Sequence, residues 1–149
     1  MKKVLASVVV ILLTGLAPAA GVLSAAPAAT NTAGTVKVTV TYKGKGTVDS
    51  SHKLWVYLFD SPNIGAGTMP IGQLALEKNG TDAVFDSVAG DKVYVAVAFD
   101  ESGAMMGDGP PPTGSPIGIL MGPDGTPGAI TPGGKAPVAL NFDDTIRMP

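Results

Sequence analysis

Short stretches of the chain alternate between apolar and polar residues. From position 35 to 42, Val and Tyr occupy the even positions and Thr and Lys the odd ones. A period of two that is rich in β-branched residues is typical of a strand with one buried face. The segments 92–99 and 138–142 alternate in the same way, although they contain few polar residues. We therefore predict a strand in each of these three segments.

Residues 54–59 form a continuous apolar run, Leu-Trp-Val-Tyr-Leu-Phe, between polar flanks. The run is short for a helix, whereas a buried strand has this length and pattern. A strand that is apolar on both sides belongs in the middle of a sheet with both faces covered. We predict such a central strand here, and we expect the side chain of Trp55 to be buried.

Segments 71–77 and 83–88 lie on either side of Lys78-Asn79-Gly80-Thr81. Because Asn-Gly readily adopts the positive φ angles of a type I′ turn, the two segments are predicted to pair as a β-hairpin. After residue 26, no long stretch has the 3.6-residue period of an amphipathic helix. The sequence therefore predicts an all-β protein.

Six short strands cannot bury their apolar faces in one flat sheet. Two packed sheets bury them, which predicts an antiparallel β-sandwich with a long Gly/Pro-rich loop. A single domain over residues 35–149 is large enough to hold a core without disulfides. The predicted core residues are Val36, Val38, Val40, Trp55, Tyr57, Phe59, Leu74, Leu76, Phe85, Val88, Val93, Val95, Val97, Leu140 and Phe142.

The N-terminus has the layout of a secretory signal peptide. A positive start with Lys2 and Lys3 precedes an apolar stretch at 4–13, and small residues follow. Cleavage after Ala26 satisfies the small-x-small rule and leaves 27–34 as a flexible leader. The alternative is an uncleaved membrane anchor, which would be the chain's one contact with a membrane. We expect a secreted or periplasmic protein.

The amino-acid composition excludes several kinds of functional site. The absence of Cys excludes disulfide scaffolds, thiolate metal sites and Cys nucleophiles. The net charge is −2, and the loss of Lys2 and Lys3 with the signal peptide leaves 8 bases against 12 acids, or −4. Because phosphate binding normally requires a basic patch, nucleic acid is not expected as a partner.

Residues 103–134 contain ten Gly and seven Pro. Structureless stretches of this length inside compact domains are usually either functional or disordered. One interpretation is a wandering crossover that carries a short edge strand around 117–120. The other is a binding arm whose apolar patch docks on a sheet edge or awaits a protein partner. We expect the segment to be mobile, because its many Gly and Pro residues disfavour the backbone hydrogen bonds of paired strands. The candidate partner contacts are Ile117, Ile119, Leu120 and Met121.

Oxygen-bearing side chains follow the predicted strand at 92–99. The arrangement of Asp100, Ser102 and Asp108 resembles an acidic calcium loop. Positions 104–106 supply no side-chain oxygen, however, whereas Ca²⁺ takes about six to eight oxygen ligands. A polar turn is the alternative interpretation, and no metal or other cofactor is expected.

His52 is the single His of the chain, and its polar neighbours indicate a solvent-exposed turn in preference to an acid–base site. Met105, Met106 and Met121 offer thioether ligands for copper, but Met more often fills gaps in packing. The sequence contains no nucleophile elbow, paired-carboxylate signature or phosphate-binding Gly motif.

Phe85, Val88, Gly90 and Tyr94 mark a strand–turn–strand element. This element resembles one in carboxypeptidase regulatory-like and prealbumin-like (transthyretin-like) domains, and the apolar run before it and the last strand are similar too. The resemblance covers about residues 35–142, although the Gly/Pro-rich insertion departs from it. It implies a non-catalytic sandwich with an immunoglobulin-like or prealbumin-like arrangement, often an accessory module of secreted or envelope proteins.

These observations together favour a binding or structural module of the cell envelope or exterior with a protein partner. A carbohydrate-binding module is the first alternative, and it would display exposed aromatic side chains on a flat face. A small secreted hydrolase-type enzyme is the second alternative, and it would require an acid–base constellation that the sequence does not reveal.

Overall fold

The computed structural model describes residues 33–149 with the exception of positions 66 and 108. Its regular structure consists of seven strands, and no helix long and apolar enough to cross a membrane occurs in the described part. The predicted signal peptide and most of the predicted leader lie outside the described residues. The strands are β1 (Gly34–Tyr42), β2 (Leu54–Phe59), β3 (Gly72–Leu76), β4 (Thr81–Val88), β5 (Tyr94–Phe99), β6 (Ile117–Ile119) and β7 (Val138–Phe142).

The strands form two sheets. One has three strands in the order β4-β1-β7, and the other has four in the order β3-β2-β5-β6. Neighbouring strands pair antiparallel except for β1 and β7, which run parallel from Val38–Val138 to Tyr42–Phe142. The prediction of purely antiparallel sheets is therefore wrong at this pair. Residues 120–137 bring the chain across from the other sheet, so no tight turn dictates the direction of β7.

One hydrophobic core receives side chains from both sheets. The alternation predicted for β1, β5 and β7 is confirmed, because the apolar residues of each alternating set point into this core. The side chains that are at most 2% exposed include Val36, Val38, Val40, Leu54, Val56, Leu58, Val93, Val95, Val97, Phe99 and Leu140.

The central strand β2 is covered on both faces, as its apolar run predicted, but the residues that face the core are not the ones that were predicted to do so. Leu54, Val56 and Leu58 point into the core between the sheets. Trp55, Tyr57 and Phe59, which were predicted to belong to that core, belong to a separate cluster. Residues that alternate along a strand point to opposite sides, so these three lie on the outer face of the four-stranded sheet.

The predicted hairpin around Asn79-Gly80 is wrong. β3 pairs with β2 and β4 pairs with β1, so the connection crosses from one sheet to the other. Gly80 has a φ of +70°, and Asn79 is not among the residues with positive φ, so the turn is not of type I′. The Asn79 side chain instead binds the backbone of Tyr42, accepting from its N–H at 2.8 Å and donating to its carbonyl at 2.7 Å.

The Gly/Pro-rich segment is tied into the fold at several points. β6 pairs with β5 at the edge of the four-stranded sheet, as the crossover interpretation predicted. Ile130 exchanges two backbone hydrogen bonds with Val93, and its side chain joins the core. The expectation that Gly and Pro deny the segment ladder hydrogen bonds is therefore wrong for its second half. Within 104–111, the described residues make no backbone–backbone hydrogen bond.

Candidate binding cleft on the outer face

Loops cover the outer face of the four-stranded sheet. Tyr57, Phe59 and Ala98 form its buried centre, and Ile64 from the β2–β3 loop packs against them. Met105 packs there too, from the loop after β5. We call residues 104–112 of that loop the arm. The outer face is thus the place where a loop and a sheet enclose side chains between them.

The hydroxyl of Tyr57 has no hydrogen-bond partner among the described residues, although Tyr57 is only 5% exposed. Burial, assisted by the negative charge of Asp100, raises the pKa of Tyr57 from 10.0 to about 12. The group therefore keeps its proton at neutral pH and presents a hydrogen-bond donor. A buried hydroxyl without a partner is costly, and in native proteins such a group calls for an explanation.

Trp55 lies two residues before Tyr57 and points to the same face. It is only half-buried, which corrects the prediction that it would be buried, because loops and not a second sheet cover this face. Its indole Nε1 is nevertheless enclosed and has no hydrogen-bond partner among the described residues. Gly107 of the arm lies so close to the indole ring that a Cβ at this position would overlap it.

A cleft of about 240 Å³ lies between Tyr57 and the arm. Apolar walls with a few polar groups are typical of ligand sites, although sites for drug-sized ligands are larger, at about 300–1,000 Å³. No charged side chain is among the described residues that line this cleft. They are Tyr57, Ala104, Met105, Met106, Gly107, Gly109, Pro110 and Pro112.

Arg147 binds residues on either side of the arm. Its guanidinium donates to the Glu101 carboxylate at 2.8 and 3.1 Å and to the carbonyl of Gly114 at 2.6 Å. The backbone of the C-terminal tail adds hydrogen bonds, from Ile117 N–H to the Ile146 carbonyl and from Met148 N–H to the Ser115 carbonyl. The segments before and after the arm are therefore both hydrogen-bonded to the C-terminal tail.

The candidate calcium ligands Asp100 and Ser102 do come together, but as hydrogen-bond partners. The Asp100 carboxylate accepts from Ser102 Oγ at 2.9 Å and from the N–H groups of Ser102 and Met105 at 3.2 and 2.9 Å. Asp100 is 2% exposed, so this geometry is that of a polar turn that starts the arm. Asp108 lies outside the described residues. In the described part of the chain, no group of three or more His, Asp or Glu residues is arranged to hold a metal.

His52 lies in a partly exposed turn with Asp49. The Asp49 carboxylate accepts from the backbone N–H of Ser51 and of His52, both at 2.8 Å, and lies 3.2 Å from His52 Nδ1. The hydrogen bonds from the N–H of His52 and then of Ser51 lower the pKa of Asp49. The carboxylate is thus used to close the turn.

The three Met residues that were considered as copper ligands have different surroundings. Met105 packs into the outer cluster, whereas Met106 is 81% exposed at the cleft and Met121 is 53% exposed after β6. Met105 therefore has the packing role that is usual for this residue type.

The candidate partner contacts lie in and directly after β6. Ile117 packs on the outer cluster and Leu120 on the core, and Ile119 is half-buried. Met121 alone of the four has a largely exposed side chain. Most of this apolar patch is therefore used within the domain, which agrees with the expectation that it docks on a sheet edge.

Tyr42 and Asp144 form a polar contact near the tail. The Tyr42 hydroxyl donates to Asp144 Oδ1, and the backbone N–H of Lys45 donates to Oδ2 at 3.0 Å. These two bonds, the Tyr42 bond first, lower the pKa of Asp144, and the nearby Arg147 guanidinium lowers it too. Burial and the bond to Asp144 raise the pKa of Tyr42 to about 12.

A larger groove of about 510 Å³ lies between the edges of the two sheets, at β3 and β4. Leu58, Ile71, Leu74 and Phe85 line it with other apolar residues and two aspartates. No buried side-chain polar atom without a partner is found there among the described residues. The groove thus lacks the feature that distinguishes the cleft under the arm.

The sequence predicts the strand and the loop that form this cleft, but it does not predict that buried polar atoms there lack hydrogen-bond partners. Trp55 and Tyr57 were predicted as core residues because the apolar run was predicted to be covered on both faces. Whether a buried hydroxyl finds a partner depends on the loop that covers it, and no local pattern encodes that. The three adjacent prolines at 110–112, which favour an exposed extended segment, were the available signal for the arm.

Comparison with protein-family models, curated proteins and solved structures gives no match to this chain.

Proposed function

We propose that this chain is an exported, non-catalytic β-sandwich module, prealbumin-like or immunoglobulin-like in arrangement, that binds a protein partner of the cell envelope or exterior. In this proposal the partner binds at the cleft under the arm. The observation that carries it is the apolar cleft between Tyr57 and the arm, beside which the Tyr57 hydroxyl is buried and has no partner among the described residues.

The fold supports a sandwich module. The two sheets share one core, and the candidate site lies outside that core, on the opposite face of the four-stranded sheet. Loops that present binding groups on a rigid scaffold are the usual arrangement in such domains. Export is supported by the sequence alone, through the positive start, apolar stretch and small residues of positions 1–26.

A non-catalytic role is supported by the way the polar side chains are used. The carboxylates of Asp100 and Asp49 accept hydrogen bonds that shape turns, and Asp144 binds Tyr42 and the backbone of Lys45. A catalytic site requires titratable groups that converge on a space where substrate can bind. The lining of the cleft offers a tyrosine hydroxyl as its one ionisable group among the described residues.

A carbohydrate-binding role is less well supported by the aromatic side chains. All eight aromatic residues lie in the described part of the chain, and each of them is buried or half-buried. Trp55 and Tyr94 are the two that are half-buried. A flat sugar platform requires ring faces that are open to solvent, and this surface does not offer one.

The proposal is tested by photo-crosslinking from the lip of the cleft. Met106, 81% exposed, is replaced by benzoylphenylalanine, and Met69, 77% exposed on the β2–β3 loop, receives the same substitution as a matched control. Illumination of producing cells is expected to give a crosslinked species of discrete mass from position 106 and not from position 69. No species, or the same species from both positions, would contradict binding at the arm.

Export is tested on the same cells. Mass spectrometry of the chain recovered outside the cytoplasm is expected to find an N-terminus at Pro27, the residue after the predicted cleavage site. Recovery of an intact N-terminus at Met1 in the cytoplasm would contradict export and leave the binding experiment unaffected.

A further inference from the structure

We propose that the groove between β3 and β4 binds an extended peptide as an additional strand on β4, and that this peptide is apolar on one side and basic on the other. The site goes beyond the proposed function, because the groove and the cleft under the arm share no lining residue. Three observations carry it: two free sheet edges, exposed apolar side chains, and acidic side chains without a cation.

Both walls of the groove are edge strands. β3 is the first strand of the four-stranded sheet, and β4 is the first strand of the three-stranded sheet. Among the described residues, no backbone–backbone hydrogen bond joins either strand to a segment other than its one partner strand. An edge strand presents unpaired backbone N–H and C=O groups, and an extended peptide that adds to it binds these groups with its own main chain. The free edges therefore favour a peptide as the occupant.

β4 offers the longer of the two edges. From Thr81 to Asp86 every second residue is exposed, as in a regular strand. The regular pattern ends at Ser87, whose φ is +57°. β4 therefore provides a regular segment of six residues, whereas β3 has five residues in all. We assign the added strand to residues 81–86 of β4.

Exposed apolar side chains determine the side of the peptide that faces the groove. Ile71 is 49% exposed and lines the groove, and Leu58, Leu74 and Phe85 line it as well. Apolar surface that is exposed as a patch marks an interaction site. The volume of about 510 Å³ holds several side chains. Because successive side chains of a strand point to opposite sides, every second residue of the peptide faces the groove and is apolar.

The charges at the edge determine the other side of the peptide. Asp82 and Asp86 are exposed on β4, and Asp60 lines the groove. Thr39 and Thr35 donate hydrogen bonds to the two β4 carboxylates, but in the described part of the chain no ion pair joins any of the three aspartates to a cation. Opposite charges that face each other across a strand pair are stabilising. A peptide with basic residues opposite the two β4 aspartates complements this edge.

A second copy of this chain is disfavoured at the same edge. Antiparallel pairing of two β4 strands centred on Val84 places Asp82 of each copy opposite Asp86 of the other. Like charges directly opposite each other destabilise a strand pair. The charge of the edge therefore favours a basic peptide over a second copy.

The probe is a peptide with capped ends and the sequence Lys-Val-Thr-Val-Lys. When it pairs with β4 about Val84, its lysines lie opposite Asp82 and Asp86 and its valines point to the groove side. The sequence is the same in both directions, so parallel and antiparallel pairing place the same side chains opposite each aspartate. The capped peptide Glu-Val-Thr-Val-Glu is the matched charge control. NMR titration of the backbone amide signals of the labelled full chain measures the dissociation constant of each peptide.

The lysine peptide is expected to bind about tenfold more tightly than the glutamate peptide at low salt, because two attractive pairs replace two repulsive ones. Hydrogen exchange at alternate amides of β4 should slow when the lysine peptide binds. The double variant Asp82→Asn, Asp86→Asn keeps the acceptors for the Thr hydroxyls and should reduce the preference to less than about twofold. The matched variant Asp124→Asn, at an exposed turn outside the groove lining, should leave the preference unchanged.

The absence of a saturable shift, or equal affinity of the wild type for the two peptides, would overturn the proposal. Binding without slower exchange in β4 would overturn it too, because the peptide would not have added as a strand. β4 signals that move when the protein is diluted without peptide would show a second copy at the edge and would also contradict it. Each of these outcomes is independent of crosslinking from position 106, so a failure here leaves the proposed function standing.

Discussion

Replacing Tyr57 by Phe is expected to stabilise the protein. The substitution keeps the buried ring and removes a hydroxyl that has no hydrogen-bond partner among the described residues. An unsatisfied buried donor costs about 1–3 kcal/mol. We take the lower end of this range and expect a gain of about 1 kcal/mol in the free energy of unfolding. For a domain of this size that gain raises Tm by about 4 °C.

The pH dependence gives the same prediction a second readout. The pKa of Tyr57 in the folded protein is about 12, raised by burial from an ordinary value of 10.0. A raised pKa means that the folded state favours the protonated form of Tyr57. The free energy of unfolding of the wild type is therefore not reduced by this group below pH 10, and it falls as the pH rises from 10 to about 12. The advantage of Tyr57→Phe over the wild type is therefore expected to widen over this interval.

Urea denaturation at neutral pH and at several alkaline pH values measures both effects. Tyr42→Phe provides the contrast, because the Tyr42 hydroxyl donates to Asp144 and its loss should destabilise the protein. If Tyr57→Phe instead destabilises by about 1 kcal/mol or more, the hydroxyl is hydrogen-bonded in the native protein. The account of the cleft would then be wrong at its central residue.

Three further predictions concern the fold and the arm. Ile130→Ala is expected to lower the unfolding free energy by about 3 kcal/mol, whereas Ile146→Ala, at a side chain 61% exposed, should change it by less than about 0.5 kcal/mol. Equal effects in urea denaturation would mean that Ile130 is not a core residue. Because the pKa of Asp144 is lowered from 3.8, its stabilisation is present above that pH and lost as the pH falls further, so Asp144→Asn should flatten the acid decline of Tm. An unchanged decline would count against this. Limited proteolysis should cut first within 104–112, and first cuts within the hydrogen-bonded turn 122–126 would refute this order.

Most strands of the fold were predictable because alternating apolar and polar residues indicate which face of a strand is buried. In β1, the even positions from Val36 to Tyr42 are buried, as the sequence indicates. The short edge strand β6 was also predictable, since it is the single apolar cluster of the Gly/Pro-rich segment. These elements need only one covered face, and a period of two specifies which residues lie on it.

Strand partners were less predictable than strands. Asn79-Gly80 is compatible with a tight hairpin and equally with a connection between two sheets. What decides between them is the bond from the Asn79 side chain to Tyr42, a residue 37 positions away. The parallel pairing of β7 with β1 likewise depends on the whole topology, because the residues of a strand do not specify the direction of its partner.

The site was the least predictable part. The sequence presents Asp100 as a possible ligand, but in the fold the carboxylate is occupied by donors from Ser102 and Met105. It presents Trp55 and Tyr57 as apolar residues of a continuous run, in which both faces look alike. Their polar atoms are enclosed without partners among the described residues because of the position of the arm, which the sequence does not predict.

The most direct test of the account is a crystal structure of the full chain. The account predicts a cleft between the arm and the outer face of the four-stranded sheet, with the Tyr57 hydroxyl buried beside it and beyond hydrogen-bond distance from every described protein acceptor. A closed cleft, or a Tyr57 hydroxyl bonded to a protein group, would contradict it.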